Sequence, residues 1–563
     1  MVRVIPMSIP KSVVVIFLAI AIVYIAVCIH APLINDDYMA LYSAWLLSQS
    51  HTEGVDYHVD SYTLLFDAMA PIYLLVGETL QVITLYRLVF LAILALAFYQ
   101  VYRLCCTVAS KQAALISVFL LATASAMYIR GLDLRPDLII LVLWLQCVLV
   151  LYVNNRPEKQ SMLIVGVLIG VAMLFKFKAM LIGIVPAIYL LLALYKKQSL
   201  ISVLFNGILI LVGIGAVHGL FALFLGLDKF QLYIDTTVSL MQYSVGSHEG
   251  AAALKKKVLT RYITTDFVFW GFVAAGVITA LVRIRRCTLE QVVCVASVLL
   301  LAILSVVTNP HYHTYNLITL YPLLSILMAF SATELMTLWG NTRRLLQVSI
   351  ATVFIIPVID LVAYPLQASN QHQHALHQFI QQHTQPDHAV FAFEGIGLFR
   401  PSTFHWRTSA IMLDNYRNGT YNVWQEINAV APVLIINNYR VPGWLIEQDS
   451  AQLQRHYISL SPKLSTLGFY SDDMTNPQNQ GQRPTTKRII KEGNYHVFNR
   501  LGVRCLLNQT PVNHNQILHL QPGEYTLTSD TGSCSIRWHF SQQALQQLSS
   551  INPIGRSYLL RPF

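Results

Sequence analysis

Residues 31–45 read APLINDDYMALYSAW, directly after the first long apolar run of the chain, 12–30. Two adjacent carboxylates, Asp36 and Asp37, thus follow a membrane-length segment and open an aromatic-rich helical pattern. A single carboxylate is enough to cap a helix starting near Tyr38. Two neighbouring ones repel, so the second calls for another reason. A carboxylate at a membrane surface, ringed by Tyr38, Tyr42, Trp45, Tyr57, Tyr62 and Tyr73 and followed by Glu53, Asp56, Asp60 and Asp67, suits sugar rings and their hydroxyls, with one acid as general base. Aromatic residues also form interfacial belts without any ligand.

The rest of the chain supports a membrane setting. Of 563 residues, 55% are hydrophobic and 12% charged, about half the charge fraction of a soluble protein. A helix crosses about 30 Å of hydrocarbon with roughly 20 apolar residues. Candidate spans are 12–30, 82–102, 113–129, 138–153, 162–175, 179–195, 200–225, 263–282, 291–308, 316–338 and 346–366, eleven in all. No small-residue cleavage pattern precedes Asp36, so the first run reads as a retained span rather than a signal peptide.

With the N-terminus inside, every cytoplasmic loop is basic: Arg103 and Lys111; Arg156 and Lys159; Lys196 and Lys197; Arg283, Arg285 and Arg286; Arg343 and Arg344. An odd number of spans then places the tail and the loop 31–81 outside. This topology accounts for the net charge of +10 and removes the case for nucleic-acid binding. The exceptions stand out, because the outer face also carries cations: Arg130 and Arg135 in YIRGLDLRPD (128–137), Lys176 and Lys178 in FKFK (175–178), and Lys255–Lys257. A bound anion explains positive charge on that side. The competing readings are snorkelling, or pairing of Arg135 with Asp133 or Asp137.

Beyond residue 366 the chain turns polar. ALHQFIQQH (375–383) is helical in pattern; HAVFAF (388–393) and PVLIIN (432–437) read as strands, giving a small α/β module over 367–495. From 496 to 563 short strands punctuated by PGE (522–524) form a β-rich end unit. Cys505 and Cys534 are the two cysteines of the tail: a disulfide if the tail lies outside the cytoplasm, two free thiols otherwise. The histidines of HQHALH (372–377) put only His374 and His377 on one helical face, with no Cys or acidic ligand near. A solvated helix is the simpler reading than zinc. GIGLFR (395–400) lacks the glycines of a dinucleotide fingerprint.

The order of these motifs resembles the GT-C superfamily of membrane glycosyltransferases, in the bacterial branch related to protein O-mannosyltransferases and the lipid A aminoarabinose transferase. NDDYMALYSAW opens a long outer loop that ends in APIYLL; YIRGLDLRPDLIIL, LFKFKAMLIGIVPAIYLL and TNPHYHTYNLITLYPLLSIL resemble later span junctions of that superfamily. The family pattern reads Asp-Glu where this chain has Asp36-Asp37. It often carries Lys or Arg where this chain has His311 and His313.

The resemblance implies a catalytic transmembrane domain over 1–366 and an inverting transfer of sugar from a polyprenyl-phosphate-linked donor. It implies Asp36, with Asp37 beside it, as the catalytic acids. Arg135, Lys176 and Lys178, with His311 and His313, become the candidates for holding the donor phosphate, since preorganised cations stabilise a developing anion best where water is scarce. The acceptor would be a lipopolysaccharide, another surface polymer or a protein, on the outer face of a bacterial inner membrane with the tail in the periplasm. No particular cofactor is implied, and a divalent metal is compatible with this reading. A transporter or flippase for lipid-linked sugars is the alternative. Transporters bury ionisable residues at mid-membrane on broken helices within internal repeats, whereas here the charges sit at span ends and no repeat is visible.

Overall fold

The computed structural model describes residues 11–551 except 54–55, 58–63, 155–156, 246–250, 310–311, 342–343, 404–409, 439, 472–485, 500–502 and 530–533. The chain divides into two compact units. The first comprises residues 1–31, 61–69 and 81–369, the second 32–60, 70–80 and 370–563. Most of the loop 31–81 therefore belongs with the tail.

The first unit is helical. Among the described residues eight helices are long and apolar enough to cross a membrane, and the chain is a multi-pass membrane protein. A ninth arises if Ala252–Thr265 and Phe267–Arg283, bent by 96° at Asp266, count as one span. The expected eleven is not reached by length. Lys111–Thr123 has 13 residues and Pro136–Tyr152 has 17, and at 1.5 Å per residue the shorter one extends only about 20 Å.

Small residues let one helix pair approach closely. Gly166 and Gly170, four apart on Glu158–Phe175, pack against Leu200–Leu225, Gly166 beside Gly213 and Ile210 and Gly170 beside Ile214 and Val217. A Cβ on Gly213 would lie 2.7 Å from the Leu163 carbonyl oxygen and one on Gly170 2.9 Å from the Val217 Cβ. Without a hydrophobic force between helices in lipid, such backbone proximity is what holds a pair together. Gly213→Leu is expected to wedge the pair apart at a cost of about 1–3 kcal/mol, read as a lowered thermal unfolding midpoint of the purified protein in detergent.

The second unit carries the strands. Those described are β1 (Val390–Phe391), β2 (Leu434–Ile436), β3 (Tyr457–Ser461), β4 (Leu464–Tyr470), β5 (Thr486–Ile489), β6 (Gly493–Asn499), β7 (Cys505–Leu507), β8 (Thr510–Val512), β9 (Ile517–Leu520), β10 (Gly523–Ser529) and β11 (Cys534–Trp538). One sheet runs β1-β2-β4-β11-β6-β9, with β3 also paired to β4, and a second runs β5-β10-β7-β8. Among the described strands only the β1–β2 pair is parallel; the other pairings are antiparallel. The α/β and β-rich character expected of the tail is thus present, and β11 returns from the end of the chain between β4 and β6.

Cys505 and Cys534 form a disulfide, with Cα atoms 6.2 Å apart, that ties β7 of one sheet to β11 of the other. Of the two readings of this cysteine pair, the bonded one holds. Replacing both cysteines by serine is expected to cost the second unit roughly 2–5 kcal/mol, measured as faster limited proteolysis of the tail while the first unit stays protected.

Candidate functional site

Three of the cations that the sequence assigns to the outer face, Arg135, Lys176 and Lys178, converge within the first unit. Arg135 precedes Pro136–Tyr152, with Pro136 in the first turn where its missing N–H costs nothing. Asp137 follows at once and is buried. Its carboxylate accepts from Arg135 Nε at 3.2 Å and from Lys176 Nζ at 2.7 Å. Lys176 stands where Glu158–Phe175 ends in extended backbone, before the 3-10 turn Phe177–Gly183. That break puts a second lysine nearby, and Lys178 Nζ donates to Asn309 Oδ1 at 3.2 Å.

The hub of the cluster is Tyr315. The Arg135 guanidinium carbon lies 3.4 Å from the ring centroid and Lys176 Nζ lies 5.7 Å away. The His313 imidazole stacks on the same tyrosine at 5.3 Å. Asn316 links the loop to the lysine side: Asn309 Nδ2 donates to Asn316 Oδ1 at 2.8 Å, and Asn316 Nδ2 to the His313 carbonyl at 3.2 Å. Of the expected phosphate residues, Arg135, Lys176, Lys178 and His313 are therefore brought together around one carboxylate, a tyrosine and two amides. His311 lies outside the described residues. A guanidinium held over a ring and an ammonium held by a carboxylate are preorganised donors, the arrangement an anion needs.

Two other cations that the sequence placed on the outer face have local partners. Arg130 pairs with Asp133 at 3.3 Å, both buried. Lys255 donates to the Val306 carbonyl at 2.9 Å, at the last turn of Leu289–Val307, as basic residues do at helix C-termini.

The acid pair belongs to the second unit, where it opens the helix Asn35–Ser48. The two carboxylates differ. Asp37 is fully buried and its Oδ2 accepts from the Ile34 backbone N–H at 3.1 Å, so it fixes the start of the helix. Asp36 is half-buried and has an electrostatic interaction with Arg440. Arg440 is seated over the Trp444 ring at 4.3 Å. Burial pushes its guanidinium down to about 10, and Asp36 pulls it back up. It remains a cation at neutral pH.

Other residues of the acidic loop are committed elsewhere. The Thr52 N–H donates to Asp56 Oδ2 at 2.6 Å. Asp67 pairs with Lys229 at 2.5 Å. Asp60 and Tyr62 lie outside the described residues. Tyr42 packs so closely against Gly395, whose φ is +66°, that a Cβ at position 395 would collide with its ring. Among the described residues no three His, Cys, Asp or Glu side chains gather as metal ligands.

Sequence reasoning missed Tyr315, Asn309, Asn316, Arg440 and Trp444. Tyr315 and the two asparagines lie within the motif TNPHYHTYN, yet nothing in their spacing distinguishes a hub from a loop.

The model of the Dolichyl-phosphate-mannose-protein mannosyltransferase family matches residues 63–218. No curated protein matches the sequence. Among solved structures, ArnT from Cupriavidus metallidurans bound to undecaprenyl phosphate superposes with a TM-score of 0.55 at 12% identity, covering 77% of this chain and 95% of that one. The Archaeoglobus fulgidus oligosaccharyltransferase in its apo form gives 0.51 at 12% identity, over 80% of this chain and 73% of that one. The chain therefore has the fold of the GT-C membrane glycosyltransferases, as the order of its motifs led one to expect.

Proposed function

We propose that this protein is an inverting glycosyltransferase that takes a sugar from a polyprenyl-phosphate donor and delivers it to a lipopolysaccharide, surface polymer or protein acceptor at the outer face of a bacterial inner membrane. The observation that carries this reading is the convergence of Arg135, Lys176 and Lys178 with Tyr315 at the ends of apolar helices. The likeness in fold to a transferase crystallised with undecaprenyl phosphate supports it. The disulfide supports placing the second unit in an oxidising compartment, outside the cytoplasm.

In the proposed step Asp36 takes the proton of the acceptor hydroxyl, whose oxygen attacks the anomeric carbon from the face opposite the phosphate. The glycosidic bond forms as the bond to phosphate oxygen breaks, which inverts the anomeric centre. Polyprenyl phosphate leaves with the electron pair. Its growing charge is met by Arg135, Lys176 and Lys178, with His311 and His313 as further ligands. Asp37 serves this chemistry by fixing the helix on which Asp36 sits.

The test is a mass-spectrometric comparison of surface glycans from cells with and without the protein. One sugar mass is expected to disappear from one acceptor class. Identical glycans in both, with the protein expressed in the control, would falsify the transferase reading.

A further inference from the structure

The histidine- and glutamine-rich segment after the last apolar helix has an orderly use. It forms the helix Gln371–His383 in the second unit. Gln373, His377 and Gln381 recur every four residues, so they form one stripe along it. Gln373 and His377 grip the segment that bears the acid pair, and Gln381 reaches it through Glu78. The Leu33 N–H donates to Gln373 Oε1 at 2.7 Å, and Gln373 Nε2 donates back to the Leu33 carbonyl at 2.8 Å. One turn on, His377 Nε2 is 3.0 Å from the Tyr38 hydroxyl. A further turn on, Gln381 Nε2 donates to the Glu78 carbonyl at 3.0 Å, and Glu78 Oε1 accepts from Trp45 Nε1 at 2.7 Å.

These contacts bracket Asp36. Leu33 lies three residues before it, Tyr38 two residues after it, and Trp45 near the end of the same helix. Gln373, His377 and Tyr38 are buried, so the bonds form away from competing water, where an unmade partner is costly. A two-point amide bond and an imidazole–phenol bond on rigid helices leave little freedom to the residue between them. Catalytic groups need that: a misplacement of about 1 Å costs roughly 100-fold in rate.

We propose that the Gln373–His377–Gln381 stripe is a positioning device that holds the acid-pair helix in register and acts on sugar transfer through Asp36, not through donor binding. This rests on the reading of Asp36 as the general base. None of the three touches the reacting atoms in this account; they are positioning residues.

The experiment uses the full chain. Gln373→Ala and His377→Phe are made singly, with His377→Gln as the conservative variant whose amide reaches the position of Nε2. Glycan signal per unit of membrane protein is measured in cells. Affinity for undecaprenyl phosphate is measured on purified protein, and amide hydrogen exchange over residues 33–48 reports whether the segment stays in place. Gln373→Ala and His377→Phe are expected to lower the glycan signal about 100-fold, leave undecaprenyl phosphate affinity unchanged and speed exchange at 33–38. His377→Gln is expected to recover most of the signal. In an Asp36→Asn background Gln373→Ala adds nothing.

Wild-type glycan levels in Gln373→Ala and His377→Phe, with Asp36→Asn inactive, overturn the positioning role and leave the base assignment standing. Undecaprenyl phosphate affinity that falls in parallel with the glycan signal overturns it too, by making the stripe a general structural prop. An active Asp36→Asn removes the base assignment itself, and the positioning role falls with it.

Discussion

Asp36→Asn is expected to abolish sugar transfer while leaving the protein folded and inserted. On the proposed mechanism its carboxylate takes a proton in the transition state, and loss of a general base costs about 10²- to 10⁴-fold. The capping bond to the Ile34 N–H comes from Asp37, so replacing Asp36 leaves that bond in place. The two neighbours therefore separate by assay. Asp37→Ala removes the cap and is expected to lower stability by about 0.5–2 kcal/mol, seen as a lower unfolding midpoint. Asp36→Asn is expected to leave the midpoint where it is and lower turnover alone. A purified Asp36→Asn protein that moves sugar from a polyprenyl-phosphate donor at the wild-type rate would show that the base lies elsewhere.

The second large effect concerns the cations of the first unit. Lys176→Ala and Arg135→Gln are each expected to weaken undecaprenyl phosphate binding about 10- to 100-fold, the worth of a hydrogen bond to a charged group at about 1.5–3 kcal/mol. Lys176→Ala leaves Asp137 with Arg135 as its remaining described partner, so its effect also includes a less compensated buried carboxylate. Tyr315→Leu tests the hub separately. It removes no charge but takes away the ring on which the guanidinium lies, and a cation–π contact of this kind is worth about 0.5–2 kcal/mol. A smaller, roughly 2- to 30-fold loss of affinity is the expected result. Titration with undecaprenyl phosphate at two salt concentrations decides the matter. Wild-type affinity in both Lys176→Ala and Arg135→Gln excludes this cluster as the phosphate site.

Much of the architecture was legible in the residues. Apolar runs long enough to cross a bilayer mark helices, because every backbone group in lipid must be satisfied within its own segment. The break at Lys176, the Arg-Pro-Asp start of the helix at 136, and the strand patterns at 388–393 and 432–437 are local signals that the structure repeats. The number of spans was less legible. Hydropathy reports where a helix is apolar, not whether 13 residues are carried across by the turn that follows.

The amino-acid sequence by itself determined that this is a multi-span membrane chain with a polar α/β and β-rich tail, an acid pair after the first span, and basic residues at span ends. These are properties of neighbours along the chain, set by hydropathy and helical period. It also offered one carboxylate of the pair as a helix cap. Only the tertiary structure decided that Asp37 is that one, that Cys505 meets Cys534, that Lys176 reaches Asp137 across 39 positions, and that Gln373 grips Leu33 across 340. Side chains so far apart along the chain leave no periodic trace. Their partners are selected by packing, where a buried polar group must find whichever complement the fold brings within about 3 Å.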